Sequence, residues 1–366
     1  MNSASAQLGK ASIVFWAVAL FSPVALHAQA SSPSSDLQMK AETGDAVAQY
    51  QLGLAYAEGS GVPQSDRSAI DWYRKAAERG NPEAQNSLGV MYFNGRGVEE
   101  DWAEAVRRYH QAARQKNAMA MFNLGVAYYN GDRNGTGVDD AAAYAWFKLA
   151  EQNGSASAKE AVARSEKELP GFQQNLGLLH IADMYLKGEE LPQNIVEAER
   201  WMQIVAERGD SVTQVRLART FEQQEQPDYE KAFLWCKRSA QIGNDDARYY
   251  LADLYRKGLG TAKNPTEALN LFQLAAAHRH FASMEAAAEM LLTGEGGKQD
   301  LQQAFVYFII LAANGDRNAP ERALTAKSQM NPKQWKKTQD RLKRSGFDPK
   351  KVEIALEKSQ QRQSQP

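Results

Sequence analysis

Cysteine is almost absent from this chain, since Cys236 is the only one in 366 residues. A single cysteine excludes any intrachain disulfide, so stability has to come from the packing of apolar side chains. A content of 43% hydrophobic and 24% charged residues is ordinary for a globular chain. This composition excludes a collagen-like or wholly disordered protein.

The chain also lacks an excess of charge of either sign. Its 43 lysine and arginine residues are balanced by 44 aspartate and glutamate residues. This balance predicts no global field that would attract nucleic acid or an anionic membrane. We therefore expect no nucleic-acid partner.

Long apolar runs are missing apart from one at the N-terminus, residues 11–26, which follows Lys10. The run ends before Ala28-Gln29-Ala30, which matches the small-x-small pattern of signal-peptide cleavage. We expect cleavage near Ala30 and a periplasmic or secreted mature chain without an integral membrane segment. The alternative is an uncleaved anchor, although about 16 apolar residues fall short of the ~20 that a membrane helix needs.

Motifs for catalysis are missing too: there is no SxxK, GxSxG or HExxH sequence. Cys236 stands where other copies of an internal repeat carry aromatic residues or methionine, so we interpret it as a buried core thiol. His278 and His280 flank a helix end without a nearby carboxylate or thiol, and His110 and His180 receive no role. We expect no catalytic residue, no bound metal and no cofactor.

What the chain does contain is a repeat. Shifting residues 52–80 by 36 positions superimposes Gly53 on Gly89, Tyr56 on Tyr92, and Ala69 on Ala105. Seven copies can be recognised, at residues 52–80, 88–116, 124–154, 181–209, 217–243, 251–279 and 287–315. Self-similarity at this period indicates an array of repeated supersecondary units.

Two positions in each copy are always small. The first holds Gly53, Gly89, Gly125, Ala182, Ala218, Ala252 and Ala288, and the second holds Ala69, Ala105, Ala143, Ala198, Ala232, Ala268 and Ala304. Small residues let two helices approach closely, while a larger apolar side chain lies four residues beyond a leucine on the same face. Each copy is therefore predicted to be a helix, a turn and a second helix.

The glycine pair in the turn could instead suggest a phosphate-binding loop. No strand precedes it, Gln64 occupies the place of the third glycine of GxGxxG, and residues 188–191 lack the second glycine. We interpret Gly59 as the left-handed residue that ends the first helix and Gly61 as the residue that shapes the turn. Asn264 and Asn331, each followed by proline, are predicted helix N-caps.

These residues resemble the Sel1-like repeats, relatives of the tetratricopeptide repeats, over about residues 41–316. The resemblance implies an all-α fold, an alpha-alpha superhelix (solenoid) of about seven helix-turn-helix repeats. It also implies a scaffold that binds other proteins rather than an enzyme. The fifth copy departs from the pattern because its turn, 222–228, has no glycine, and the seventh departs because Leu291 replaces the tyrosine.

Two stretches outside the repeats, 155–170 and 316–332, are each predicted to form a helix, end at a proline and look like end caps of the family. The predicted organisation is a signal peptide (1–30), a flexible linker (31–40), two arrays, and a C-terminal helix with a polar tail (346–366). The first array, 41–170, has three repeats and an end helix, and the second, 171–345, has four repeats and cap helices. One unbroken superhelix with an extra helix is the alternative.

By the resemblance, the first helices of the repeats line a groove. In the first array the predicted protein-binding residues are Tyr50, Leu54, Asn86, Val90, Phe93, Asn94, Phe122, Val126, Tyr129 and Asn130. In the second array the equivalent residues are mostly charged. The alternative for the aromatic residues is that they pack on neighbouring repeats.

We therefore expect an exported scaffold, adaptor or regulator that holds a segment of a cell-envelope protein in the groove of the first array. The alternatives are an envelope hydrolase acting on the cell wall or on β-lactams, and a secreted effector that interacts with a host.

Overall fold

The computed structural model describes residues 35–132 and 137–363, with side chains to residue 357. The predicted signal peptide and cleavage site lie outside these residues. The described chain forms 19 α-helices and no strand. The first ten are α1 (Ser35–Glu42), α2 (Ala46–Glu58), α3 (Asp66–Glu78), α4 (Pro82–Asn94), α5 (Trp102–Ala113), α6 (Ala118–Asn130), α7 (Asp140–Gln152), α8 (Ala156–Glu168), α9 (Gly171–Lys187) and α10 (Ile195–Glu207). The other nine are α11 (Ser211–Glu222), α12 (Tyr229–Gln241), α13 (Asp245–Lys257), α14 (Pro265–Ala277), α15 (Phe281–Thr293), α16 (Leu301–Ala313), α17 (Ala319–Ser328), α18 (Pro332–Arg344) and α19 (Pro349–Gln363).

The fold is an all-α solenoid in which each repeat consists of a first helix, A, and a second helix, B. The A and B helices of the seven repeats are α2/α3, α4/α5, α6/α7, α9/α10, α11/α12, α13/α14 and α15/α16. Every one of the 14 small positions predicted from the sequence is buried. The prediction of seven helix-turn-helix repeats is confirmed.

A glycine on helix A faces an aromatic ring on helix B in each of the first three repeats. A Cβ atom placed on Gly53 would lie 2.6 Å from the Tyr73 ring, and one on Gly89 would lie 2.5 Å from the Tyr109 ring. Gly125 faces Phe147 in the same way. Because normal carbon contacts are about 3.5–4.0 Å, only glycine fits against these rings.

The two glycines of a turn have different structural roles. Gly59 adopts φ 72° and ψ 27°, and its N–H donates to the carbonyl of Ala55, so it ends α2 as predicted. The second glycine of a turn approaches the preceding repeat instead: a Cβ on Gly97 would lie 2.9 Å from Cβ of Asp66, at the start of α3. Gly260 and Gly296 approach the starts of α12 and α14 in the same way.

The predicted helix caps are also confirmed. The side chain of Asn264 accepts a hydrogen bond from the N–H of Glu267 at 3.1 Å. Asn331 and Gln334 form a complete capping box, with two reciprocal hydrogen bonds of 2.9 Å each. These caps fix where α14 and α18 begin.

Both ends of the described chain are more helical than the sequence indicated. Most of the segment predicted as a flexible linker belongs to α1, which is held because Ala41 is buried and accepts a hydrogen bond from Gln49 Nε2 at 3.0 Å. Helix α19 extends to Gln363, into the predicted polar tail, and is anchored by buried Val352 and Leu356. These short apolar contacts are too few to produce a periodic signal in the sequence.

The chain divides into two compact units, residues 1–201 and 202–366. In the first unit, α8 packs on α7 after the third repeat, and α9 also packs on α7. In the second unit, α17 and α18 pack on α16, and α19 packs on both of them. The junction predicted near residue 170 stays a prediction.

Candidate protein-binding surface

The first three A helices, α2, α4 and α6, carry all ten predicted binding residues, and we call their exposed side the A-helix face. Eight of the ten side chains are partly exposed to solvent: Tyr50, Leu54, Asn86, Val90, Phe93, Asn94, Tyr129 and Asn130. The set therefore combines aromatic and aliphatic surface with three asparagine side chains.

Neighbouring A helices are joined on this face by side-chain contacts. Asn123 Nδ2 of α6 donates to Asn86 Oδ1 of α4 at 2.8 Å. The Tyr50 ring lies 5.8 Å from the Tyr73 ring of α3, so it also packs within its own repeat. Asn94 Nδ2 donates to the carbonyl of Val90 within its own helix at 2.9 Å.

Two of the predicted residues are not on the surface. Phe122 is 6% exposed and Val126 is 3% exposed. The Phe122 ring packs 5.5 Å from Phe147, the same ring that faces Gly125. Since α6 has a more apolar sequence than α2 or α4, its residues fill the core at positions where the other A helices face solvent. Neither side chain is available to a partner in this structure.

Charged residues of α8 lie beside the α6 end of the A-helix face. Burial raises the pKa of Tyr129, and the nearby carboxylates of Glu168 and Asp140 raise it further, while Arg164 lowers it. The Tyr129 hydroxyl therefore stays protonated and can act as a hydrogen-bond donor. At the α2 end of the face, burial and the carboxylate of Glu83 raise the pKa of Tyr50 as well.

Most of the charged A-helix side chains of the second unit have an ion-pair partner. Four ion pairs account for most of them: Arg256 with Glu295 at 2.6 Å, Lys257 with Asp253 at 2.6 Å, and Arg322 with Glu285 at 2.5 Å and with Glu289 at 3.1 Å. Arg256 reaches the turn of the next repeat and Arg322 joins α17 to α15, whereas Lys257 and Asp253 pair within α13. These side chains therefore present little unpaired charge. The A-helix face of the first unit is consequently the better candidate for binding.

A polar cluster that the sequence did not reveal lies between α5, α6 and the turn after α9. Tyr128 Oη lies 3.5 Å from His110 Nε2, and His110 Nδ1 lies 3.8 Å from Glu190 Oε2. Trp146 packs edge-on against the imidazole, with ring centroids 5.1 Å apart. The cluster forms because Arg114 Nη1 donates to the carbonyls of residues 188 and 189 and so holds the turn against α5.

Burial sets the protonation of this cluster. It lowers the pKa of His110 to about 4, with a further decrease from nearby His180. It raises the pKa of Glu190, and His180 partly opposes that change. Burial together with Glu190 raises the pKa of Tyr128 to about 12, so the hydroxyl is protonated and a poor nucleophile at neutral pH. The order hydroxyl, imidazole, carboxylate therefore does not amount to a catalytic arrangement.

A sequence signal for part of this cluster existed. His110 lies 36 positions after Arg74, and Arg74 Nη2 donates to the hydroxyl of Tyr92 at 3.1 Å. Arg74 and His110 occupy the same repeat position, and each side chain contacts the tyrosine of the next repeat, Tyr92 or Tyr128. The contact with Glu190 had no such signal, because it depends on how α9 packs.

Other candidate chemistry is limited within the part of the chain that the structure describes. No group of three or more His, Cys, Asp or Glu side chains there is placed to hold a metal ion. The expectation that His278 and His280 lack a nearby carboxylate is wrong, because α13 places Asp245 3.0 Å from His278 and Asp246 3.1 Å from His280. Cys236 is fully buried, and burial raises the pKa of its thiol to about 12, with a smaller effect from Glu222. Among the described helices, none is long and apolar enough to cross a membrane.

The geometry defines a class of protein: an array of short antiparallel helix pairs whose A helices present a mixed aromatic and amide surface. The Sel1 repeat matches the chain seven times, at residues 46–81, 82–117, 118–155, 172–210, 212–244, 245–280 and 282–316. These matches span more than half of the chain, and the protein belongs to the Sel1 repeat family. Proteins of this family are in general scaffolds for protein interactions.

Solved structures of the same family are similar to the chain. One is c5321, a protective antigen present in uropathogenic Escherichia coli strains, with 28% identity over 83% of this chain and 84% of that one, and a TM-score of 0.33. Another is a Sel1 repeat protein from Oxalobacter formigenes, with 24% identity over 78% of this chain and 77% of that one, and a TM-score of 0.37. No curated protein matches the chain.

Proposed function

We propose that this protein is an exported binding scaffold that holds a segment of a cell-envelope protein on the A-helix face of its first unit. The observation that carries the proposal is the row of partly exposed aromatic and asparagine side chains along α2, α4 and α6. Aromatic side chains supply much of the affinity at protein interfaces, and amide side chains can bind a peptide backbone. Export rests on the N-terminal apolar run and the Ala28-Gln29-Ala30 pattern.

The test is affinity capture from an envelope extract with the mature protein and its Phe93→Arg variant. Phe93 is only partly buried, so a long charged side chain can extend into solvent there while blocking the face. We expect a protein that wild type captures to be lost from the variant. Phe122→Arg is unsuitable for this purpose because it would place a charge in the core.

Leu274→Arg is a matched control, since it makes the same charge change at a side chain that is already 54% exposed in α14. It should capture as wild type does. Equal capture by Phe93→Arg and Leu274→Arg, with both folded by circular dichroism, would exclude the A-helix face. N-terminal sequencing of the periplasmic or secreted protein tests export, and a first residue other than one near Ser31 would contradict the predicted cleavage.

A further inference from the structure

The balanced net charge of the chain hides a strong asymmetry between its two units. Residues 35–201 contain 24 acidic and 17 basic residues, whereas residues 202–366 contain 20 acidic and 25 basic residues. The second unit is therefore basic, with five more basic than acidic residues.

Helix α18 carries a dense group of these basic residues, six in 13 positions. Five of its basic side chains are exposed and form no ion pair with another described side chain: Lys333, Lys336, Lys337, Lys343 and Arg344. At 100° per residue they fall within one side of the helix, together with a single acid, Asp340. We call this side the α18 basic face, and at 1.5 Å per residue the 13-residue helix extends it over about 20 Å.

The opposite side of α18 is fixed to the repeats. Thr338 and Leu342 are buried, and the Trp335 ring packs edge-on against Phe305 with centroids 5.2 Å apart. The sixth basic residue, Arg341, pairs with Asp300 at 3.0 Å. The apolar side of the helix is thus already occupied, and any contact made by the basic face is electrostatic.

A cavity of about 530 Å³ opens beside the start of the basic face. Lys298, Lys333 and Lys337 line it, together with Asn331, Gln299, Gln302 and Asp300, whose carboxylate is paired with Arg341. Three ammonium groups around one space are suited to phosphate oxygens, which accept hydrogen bonds from them. The amide groups of Gln299 and Gln302 already donate to backbone carbonyls. The cavity thus adds a place for a phosphate group to the row of cations along the helix.

We propose that the α18 basic face docks the protein on the surface of an anionic phospholipid bilayer, with headgroup phosphates against Lys298, Lys333 and Lys337. Four of the five unpaired cations are lysines, which bind phosphate as point charges, whereas a face built for peptide carboxylates favours the bidentate fork of arginine. Clusters of four to eight basic residues on a helix are typical of binding to anionic lipid. No exposed aromatic side chain is interleaved with them, as stacking on nucleic-acid bases would require.

The experiment is flotation of the full mature chain with phosphatidylcholine vesicles that contain or lack phosphatidylglycerol. Wild type should float only with the anionic vesicles, and should be released between about 0.1 M and about 0.5 M salt because screening shortens the reach of each charge. Lys333→Glu/Lys336→Glu/Lys337→Glu should bind these vesicles about 100-fold more weakly. All three side chains are exposed, so the variant should remain folded.

A control with the same net charge is Arg67→Glu/Lys159→Glu/Lys263→Glu, which alters exposed side chains on α3, α8 and the turn before α14. It should float as wild type does. No flotation of wild type, or equal flotation of the two triple variants, would overturn the proposal. Full competition by millimolar inorganic phosphate, or tighter binding to a DNA duplex than to vesicles, would also overturn it. Salt-sensitive self-association that is lost in the α18 variant would do the same. Each of these results assigns the face to another occupant.

Discussion

Substitution of Gly89 by alanine tests how tightly the two helices of a repeat are packed. The new Cβ would lie 2.5 Å from the Tyr109 ring, and Tyr109 is only 2% exposed. The ring would have to move by about 1 Å to restore a normal contact, within a closely packed core. Such overpacking costs about 1–3 kcal/mol.

Alanine also favours the helix over glycine by about 0.5–1 kcal/mol, which offsets part of that cost. The expected net loss in the free energy of unfolding is therefore about 0.5–2 kcal/mol, measured by urea denaturation followed by circular dichroism. Gly171→Ala is the matched control, because nothing lies within 4 Å of its Cβ position, and it should be neutral or slightly stabilising. If Gly89→Ala behaved like Gly171→Ala, the close approach of α4 and α5 would not be a constraint on the sequence.

Three other predictions concern pH, backbone strain and thiol reactivity. His110 has a pKa of about 4 in the folded state and near 6.5 when unfolded, so its contribution to stability is complete above pH 6.5 and is lost as the pH falls towards 4. Between pH 7 and 5 the free energy of unfolding should fall by about 2 kcal/mol. The raised pKa of Glu190 offsets part of this loss. In His110→Gln, urea denaturation should show a flatter pH profile, and an unchanged profile would contradict the burial of the imidazole. Lys116 and Arg279 have φ values of 64° and 65°, so replacing either with glycine should raise the melting temperature, by relieving about 1 kcal/mol of strain; a decrease would refute this. Cys236 should react with a maleimide only after unfolding, and labelling of the native protein would show that the core opens there.

The repeat architecture could be predicted because it depends on local spacing. The small residues at Ala69 and Ala105 and the turn glycines recur in phase, and each reports a contact within one helix pair. The N-caps at Asn264 and Asn331 are local in the same sense. The sequence was therefore sufficient for the number of repeats and for the role of Gly59.

The surface could be predicted only in part. Phe122 and Val126 occupy positions that face solvent in the equivalent helices, and their burial follows from the apolar neighbours that surround them on α6. The contact between His110 and Glu190 joins residues 80 positions apart and depends on the packing of α9. The basic face of α18 was missed for a simpler reason: the total charge of the chain averages over two units of opposite sign.

The second glycine of each turn has a consequence for how related sequences can be interpreted. Gly97, Gly260 and Gly296 allow the turn of one repeat to approach the first residues of the B helix before it. The turns at 188–191 and 222–228, in the fourth and fifth repeats, have no such glycine. A second glycine in a turn is thus a marker by which close approach between consecutive repeats can be sought in other arrays of this kind, directly from their alignment.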